Sequence, residues 1–110
     1  MTAEEGQGVI QVGGLRIDCI RFEVKLHERE IRLSRKEFEL LWTLASEHGR
    51  AFRREELIAR IWGPGFFIDV RTVDAHIARL RAKLKHAIPD TVSIETVWGI
   101  GYRLRPPAPS

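Results

Sequence analysis

Between Val9 and Leu33 apolar and polar residues alternate with a period of two, in the runs Val9–Val12, Leu15–Asp18, Ile20–Leu26 and Ile31–Leu33. Alternation at that period turns one side of each run toward a core and the other toward water, as in strands with one wet face. Gly13-Gly14 and the polar stretch His27–Glu30 interrupt the runs, so the segment reads as a small antiparallel meander.

Past Leu33 the spacing of apolar residues becomes helical. Ser34-Arg35-Lys36-Glu37 has the form of a capping box, in which the serine hydroxyl accepts from an orphan amide and the glutamate reaches back to the serine amide. Phe38, Leu41, Leu44 and Ala45 share one side of the helix that follows, and Gly49 ends it as the residue best suited to a left-handed conformation. A shorter helix is expected from Arg54 to Ile61, with Leu57, Ile58 and Ile61 inward and no capping side chain at its start. The loop Trp62–Val70 leads into a third helix from Arg71 to Leu84, which ends before Pro89. Val92–Val97 and Gly101–Leu104 then form two strands around Trp98-Gly99-Ile100. The expected architecture is α+β: an N-terminal antiparallel sheet, three helices and a C-terminal hairpin, spanning residues 9–105, with an unstructured lead at 1–8 and a tail at 106–110.

The third helix carries two stripes. Val73, Ile77, Leu80 and Leu84 form a narrow apolar seam, while Thr72, His76, Arg79, Lys83 and His86 fall on an adjacent face about a quarter-turn away. Only Asp74 interrupts the basic run, and it points away from that face; an ordinary solvated helix mixes Glu with Lys. The net charge of +3 is unevenly spread. From Arg71 to Arg105 there are seven Lys and Arg against three acids, whereas the residues before Arg71 carry eleven against twelve. The basic excess lies where a polyanion would be met.

At 110 residues and 44% hydrophobic content the chain is the size of one soluble domain. No apolar run approaches the roughly 18 residues that span a bilayer, and the polar, acidic start Met1–Gly6 is unlike a signal peptide. The single Cys19 cannot form an internal disulfide, which fits a reducing cytoplasm; in its strand-like stretch it reads as a buried small hydrophobe. The four histidines, His27, His48, His76 and His86, have no metal-ligand spacing, no glycine-rich phosphate loop occurs, and His76 and Asp74, two apart on a helix, point to different sides. No metal, cofactor or catalytic site is therefore expected.

Four segments in order, Leu33–Leu41, Arg54–Ile58 with Trp62-Gly63, Arg71–Ile77 with Leu80-Arg81, and Val97–Arg103, resemble the winged-helix effector domain of OmpR/PhoB-type two-component response regulators. The resemblance covers roughly residues 9–105. It implies a winged helix-turn-helix with the third helix in the major groove of duplex DNA and the hairpin, or wing, near the adjacent minor groove. Arg79 is the first candidate for reading guanine, because its guanidinium donates two parallel hydrogen bonds to O6 and N7. Thr72 and His76 lie two turns and one turn earlier on that face, within reach of bases or phosphate. Arg71, Arg81 and Lys83 read as phosphate clamps, joined by resemblance by Arg54, Trp62 and Tyr102; such contacts hold register without reading sequence. Thr96, Trp98 and Arg103 are the candidate wing contacts.

Two positions depart from the family pattern. Some relatives carry Arg where this chain has Trp98, so the indole either packs on the sugar-phosphate edge or folds inward as a plug. Ala78 replaces a residue that is basic in some relatives, removing one backbone contact. The loop before the third helix resembles a segment that touches RNA polymerase in this family, and Phe66 and Phe67 there are either core anchors or an exposed patch. The resemblance further implies a cytoplasmic regulator whose phosphoacceptor receiver domain is missing from this chain, and two copies pairing weakly head-to-tail on a direct repeat. The chain reads either as an excised effector domain or as a free-standing relative; the acidic, Gly-containing lead favours excision. The alternative function is a winged-helix protein-interaction module that does not bind DNA.

Overall fold

The N-terminal alternation becomes a four-stranded antiparallel sheet of β1 (Val9–Val12), β2 (Leu15–Asp18), β3 (Glu23–Leu26) and β4 (Arg29–Glu30), in that spatial order. The computed structural model describes residues 8–65, 67–87 and 92–106, without the side chains of 86 and 87. The expected lead up to Gln7, Phe66, the His86 side chain and the tail beyond Pro106 lie outside the described residues. Gly13-Gly14 closes the first hairpin, with Val12 opposite Leu15. His27-Glu28 closes the β3–β4 hairpin with both residues in the left-handed region, at φ 48° and 70°, the backbone that matches strand twist in a two-residue loop.

Two strand expectations need correction. The run expected over Ile20–Leu26 begins only at Glu23, because Asp18 Oδ1 accepts from the amides of Ile20 at 2.9 Å and Arg21 at 3.0 Å. That local turn uses the amides a ladder would need and leaves Ile20 and Phe22 exposed. The expected strand Ile31–Leu33 is displaced to Arg29–Glu30, since the turn consumes only two of the four polar residues. Ile31 makes one further bond, from its amide to Val24 O at 2.9 Å, before the chain leaves the sheet.

Helix α1 (Arg35–Ser46) starts from the predicted capping box: Ser34 Oγ accepts from Glu37 N at 3.2 Å, and Glu37 Oε1 accepts from Ser34 N at 2.9 Å. Helix α2 (Arg54–Ile61) begins, as expected, without a side-chain cap, and helix α3 runs from Val70 to Ala87. A two-residue strand that the pattern does not reveal, β5 (Phe52–Arg53), pairs with the C-terminal hairpin of β6 (Ser93–Val97) and β7 (Gly101–Arg105) to give the order β5-β7-β6. Arg53 lies opposite Gly101, and a Cβ on Gly101 would fall 2.0 Å from Phe52 O, so that pairing requires glycine.

One apolar cluster draws on every one of these elements except β4, whose two residues are exposed. Leu15, Ile17 and Leu26 of the sheet meet Leu40, Leu41 and Leu44 of α1, Leu57 of α2, and Val73, Ile77 and Leu80 of α3. Cys19 is half-buried against this core as a free thiol. Burial of that seam fixes α3 by one stripe and leaves the rest of its circumference to the surface.

Candidate nucleic-acid interface

Helix α3 turns its predicted seam inward, with Val73, Ile77, Leu80 and Leu84 all buried. The opposite surface consists of Arg71, Ala75, Ala78, Arg79, Ala82 and Lys85, all exposed, and bears no acid. Arg79 has no protein partner among the described residues, so its full set of donors faces solvent. Three alanines at 75, 78 and 82 make the outermost strip of the helix slim enough for its backbone to approach another surface closely. The same angular arithmetic that groups the basic residues also groups these alanines, but small residues carry no chemistry to draw attention to them.

Asp74 is the hub beneath this face. Its carboxylate accepts from Arg54 Nη1 at 2.9 Å through Oδ2 and from Tyr102 Oη at 2.6 Å through Oδ1, tying together α2, α3 and β7. Burial, followed by the bond to Asp74, pushes the Tyr102 hydroxyl up to about 12, so it remains a neutral donor. The phosphate-clamp reading of Tyr102 is thereby altered: its one proton is committed to Asp74.

Arg81 and Lys83 are also engaged within the domain. Arg81 Nε donates to Ile94 O at 2.9 Å and Nη2 to Thr96 Oγ1 at 2.7 Å, with the guanidinium 5.3 Å from the Tyr102 ring centroid. It is a strut between α3 and β6. Lys83 Nζ donates to Glu37 Oε1 at 2.6 Å and pins α3 to the start of α1. Burial pushes the Glu37 carboxyl up, but the Lys83 ammonium and the Ser34 amide outweigh it, leaving the group below its ordinary value. Lys83 thus departs from the free basic face on which helical periodicity grouped it with Arg79.

His76 and Trp62 form a second anchored cluster. His76 Nδ1 donates to Thr72 O at 2.8 Å, which leaves Nε2 without a protein partner among the described residues, and its ring meets Trp62 edge-on at 5.3 Å between centroids. Lys36 Nζ sits 5.4 Å from the Trp62 ring centroid and donates to Ile61 O at 3.0 Å. At the N-terminus of α3, Asp69 accepts from Arg71 Nη2 at 2.7 Å and from the Arg71 amide at 2.9 Å. Those bonds hold the Asp69 carboxyl at about 2, yet the Arg71 side chain remains 84% exposed.

The wing carries its own charge balance. Arg103 Nε donates to Glu95 Oε1 at 2.6 Å and Arg105 Nη1 to Glu95 Oε2 at 2.7 Å. Trp98 at its tip is 89% exposed, which overturns the inward-folded alternative for this residue. Phe67 is fully exposed and anchors nothing; Ile68 and Val70 of the same segment pack on the core instead. Phe66 lies outside the described residues. Among the described residues no group of three or more His, Cys, Asp or Glu is placed to hold a metal, and no helix is long and apolar enough to cross a membrane.

A three-helix core bearing a slim, acid-free outer helix face beside a β-hairpin defines the winged-helix class. The chain belongs to the OmpR/PhoB-type family described as "Transcriptional regulatory protein, C terminal", whose profile matches residues 28–104. It is 39% identical over 97 residues to the sensory transduction protein RegX3 of Mycolicibacterium smegmatis, covering 88% of this chain and 42% of that protein. It is 36% identical over 107 residues to the alkaline phosphatase synthesis transcriptional regulatory protein PhoP of Bacillus subtilis, covering 97% of this chain and 45% of that one. The chain therefore spans less than half the length of these two relatives. Among solved structures, the Klebsiella pneumoniae RstA DNA-binding domain in complex with the RstA box matches with a TM-score of 0.76 and 35% identity, over 89% of this chain and 97% of that one.

Proposed function

We propose that this chain is the sequence-specific, duplex-DNA-binding effector domain of a two-component transcriptional regulator, with no catalysis of its own. The observation that carries the reading is the outer face of α3, slim, free of acid and bearing Arg79, which has no partner among the described residues. Such a face fits the major groove, where Arg79 meets guanine O6 and N7 and the exposed methyls of Ala75 and Ala78 meet thymine methyls. Thr72 and His76, through Nε2, serve as flanking base contacts.

Backbone contacts fall to Arg71, to the remaining N–H groups of Arg54 and to the indole N–H of Trp62. Arg81, Lys83 and Tyr102 act mainly by holding α3 against the wing and α1, so that the phosphate contacts made by their neighbours fall in register. Thr96 retains a hydroxyl proton for the sugar-phosphate edge, and Arg103 offers the N–H groups that Glu95 does not occupy. Exposure of Phe67 supports a contact with RNA polymerase. By the same family reading the protein works in the cytoplasm, a receiver domain outside this chain controls it, and two copies pair head-to-tail on a direct repeat.

Selection from a random duplex pool at moderate salt, followed by sequencing, tests the proposal. Enrichment of a repeated half-site is the expected result. Retention without enrichment would reduce the domain to a backbone binder, and no retention would favour the winged-helix module that binds protein and not DNA.

A further inference from the structure

The wing has no free charge to offer at its tip. Among its described residues the only cations are Arg103 and Arg105, and both are drawn onto Glu95. What the tip presents is an indole, 89% exposed, beside Ile100 at 47%. Gly99 between them lies at φ +80° with nothing within 4 Å of where a Cβ would stand, so the turn lifts Trp98 clear of the protein. The indole N–H has no hydrogen-bond partner among the described residues. A large apolar group held in water at a loop tip does nothing for the core and marks a contact surface.

This tip is continuous with the α3 surface. Trp98 and Ile100 share a cleft of about 330 Å³ with Arg54 and Asp74 at the base of α3, and the Arg81 strut fixes the wing's position relative to that helix. A duplex seated on α3 therefore carries its neighbouring groove toward the indole. Minor grooves are about 6 Å wide; A·T pairs show there only the acceptors N3 and O2, while G·C pairs add the guanine N2 amino donor. An edge-on indole matches that chemistry: its faces pack on the deoxyribose walls and its single N–H meets an acceptor. A guanine amino group would set donor against donor and block the ring's entry.

We infer that Trp98 is a specificity-determining residue of the wing, which selects A·T pairs in the minor groove flanking the α3 site by an indole N–H donor and apolar contact, not by charge. This rests on the reading of the chain as a duplex-DNA binder, and it adds a second zone of sequence preference to the one read by α3.

The test repeats the pool selection with the full chain and with Trp98→Phe and Trp98→Ala. Affinity for the enriched duplex is then compared with that for the same duplex carrying one flanking G·C or I·C pair. Inosine lacks the minor-groove amino group and leaves the major-groove edge unchanged. The wild-type chain is expected to enrich A·T flanks, to lose about fivefold on the G·C duplex and to recover on the I·C duplex. Trp98→Phe should keep most of the affinity and lose the flank preference. Trp98→Ala should lose both, with the slope of log K against log salt unchanged, because no phosphate charge has been removed. Since the side chain is exposed, all three proteins should melt at the same temperature. Enrichment of an α3 core with no flank preference, or equal binding of G·C and I·C duplexes, would overturn the inference and leave the duplex-binding reading standing. No enrichment by the wild-type chain would overturn both.

Discussion

Arg79 and Lys83 stand one helical turn apart, yet they meet different surroundings: Arg79 has no partner among the described residues, and Lys83 is bonded to the buried Glu37 at 2.6 Å. Removing each should therefore fail in a different way. Arg79→Ala is expected to leave the fold intact and flatten sequence preference, by about 1–3 kcal/mol at the guanine position. Competition binding against single-base variants of the selected site measures this, and equal weakening on every sequence would refute the base-reading role. Lys83→Met should instead lower stability by about 1–3 kcal/mol, because a carboxylate that is 3% exposed loses its charged donor. Glu37→Gln in the same background should show coupling of about 0.5–3 kcal/mol by denaturant unfolding. The Glu37 carboxyl lies below its ordinary value of 4.5 in the folded state, so its contribution is complete above that pH and is lost as pH falls through the folded value. Acid titration of unfolding should accordingly steepen below about pH 4.5 in the wild type and flatten in Lys83→Met. Helical periodicity could place Lys83 beside Arg79, but its partner lies 46 residues earlier, and no local pattern reports so distant a contact.

At the level of elements, legibility follows length and periodicity. The α3 seam, the Ser34 capping box and the Gly13-Gly14 turn were readable because each is a local pattern with a mechanism, repeated or bounded within one element. Two-residue strands have no period to read, so the pattern of the chain does not reveal β5 and points to Ile31–Leu33 where β4 is Arg29–Glu30. Yet β5 matters to the interface, since it pairs with β7 and thereby fixes the root of the wing. Gly101→Ala tests that role: the new methyl would press on Phe52 O and force β5 from β7, at a cost of about 1–3 kcal/mol. Gly99→Ala at the tip meets no neighbour and carries only the left-handed backbone penalty, about 1–2 kcal/mol. Hydrogen exchange separates the two. The Gly101 variant should lose protection at the β5 and β7 amides, whereas the Gly99 variant should keep it; loss of protection in both would mean that the hairpin folds as one unit regardless of β5.

Over the whole molecule, size limits how two copies would sit on one duplex if they pair on a direct repeat as proposed. The domain measures 37 × 27 × 25 Å along its principal axes. Half-sites on one face of B-DNA repeat every 34–36 Å, or about 10–10.5 bp. Two copies in the same orientation on adjacent half-sites therefore touch only if the long axis lies near the duplex axis, and even then end to end over a small area. A small interface of that kind is expected not to hold a dimer free in solution, and to register only once both copies are confined on DNA, where effective concentration replaces affinity. Half-site spacing should control cooperativity accordingly. Inserting about 5 bp rotates the second copy to the opposite face and should abolish it, and about 10 bp restores the face but separates the copies by a further turn, so cooperativity should stay lost while each half-site still binds singly. Titration of a native-spaced, a 5-bp and a 10-bp duplex by gel shift, with the free chain sized by sedimentation, measures both halves of the argument. Recovery of cooperativity at 10 bp would place the coupling in the DNA itself rather than in protein contact, since domains of this length cannot bridge two turns.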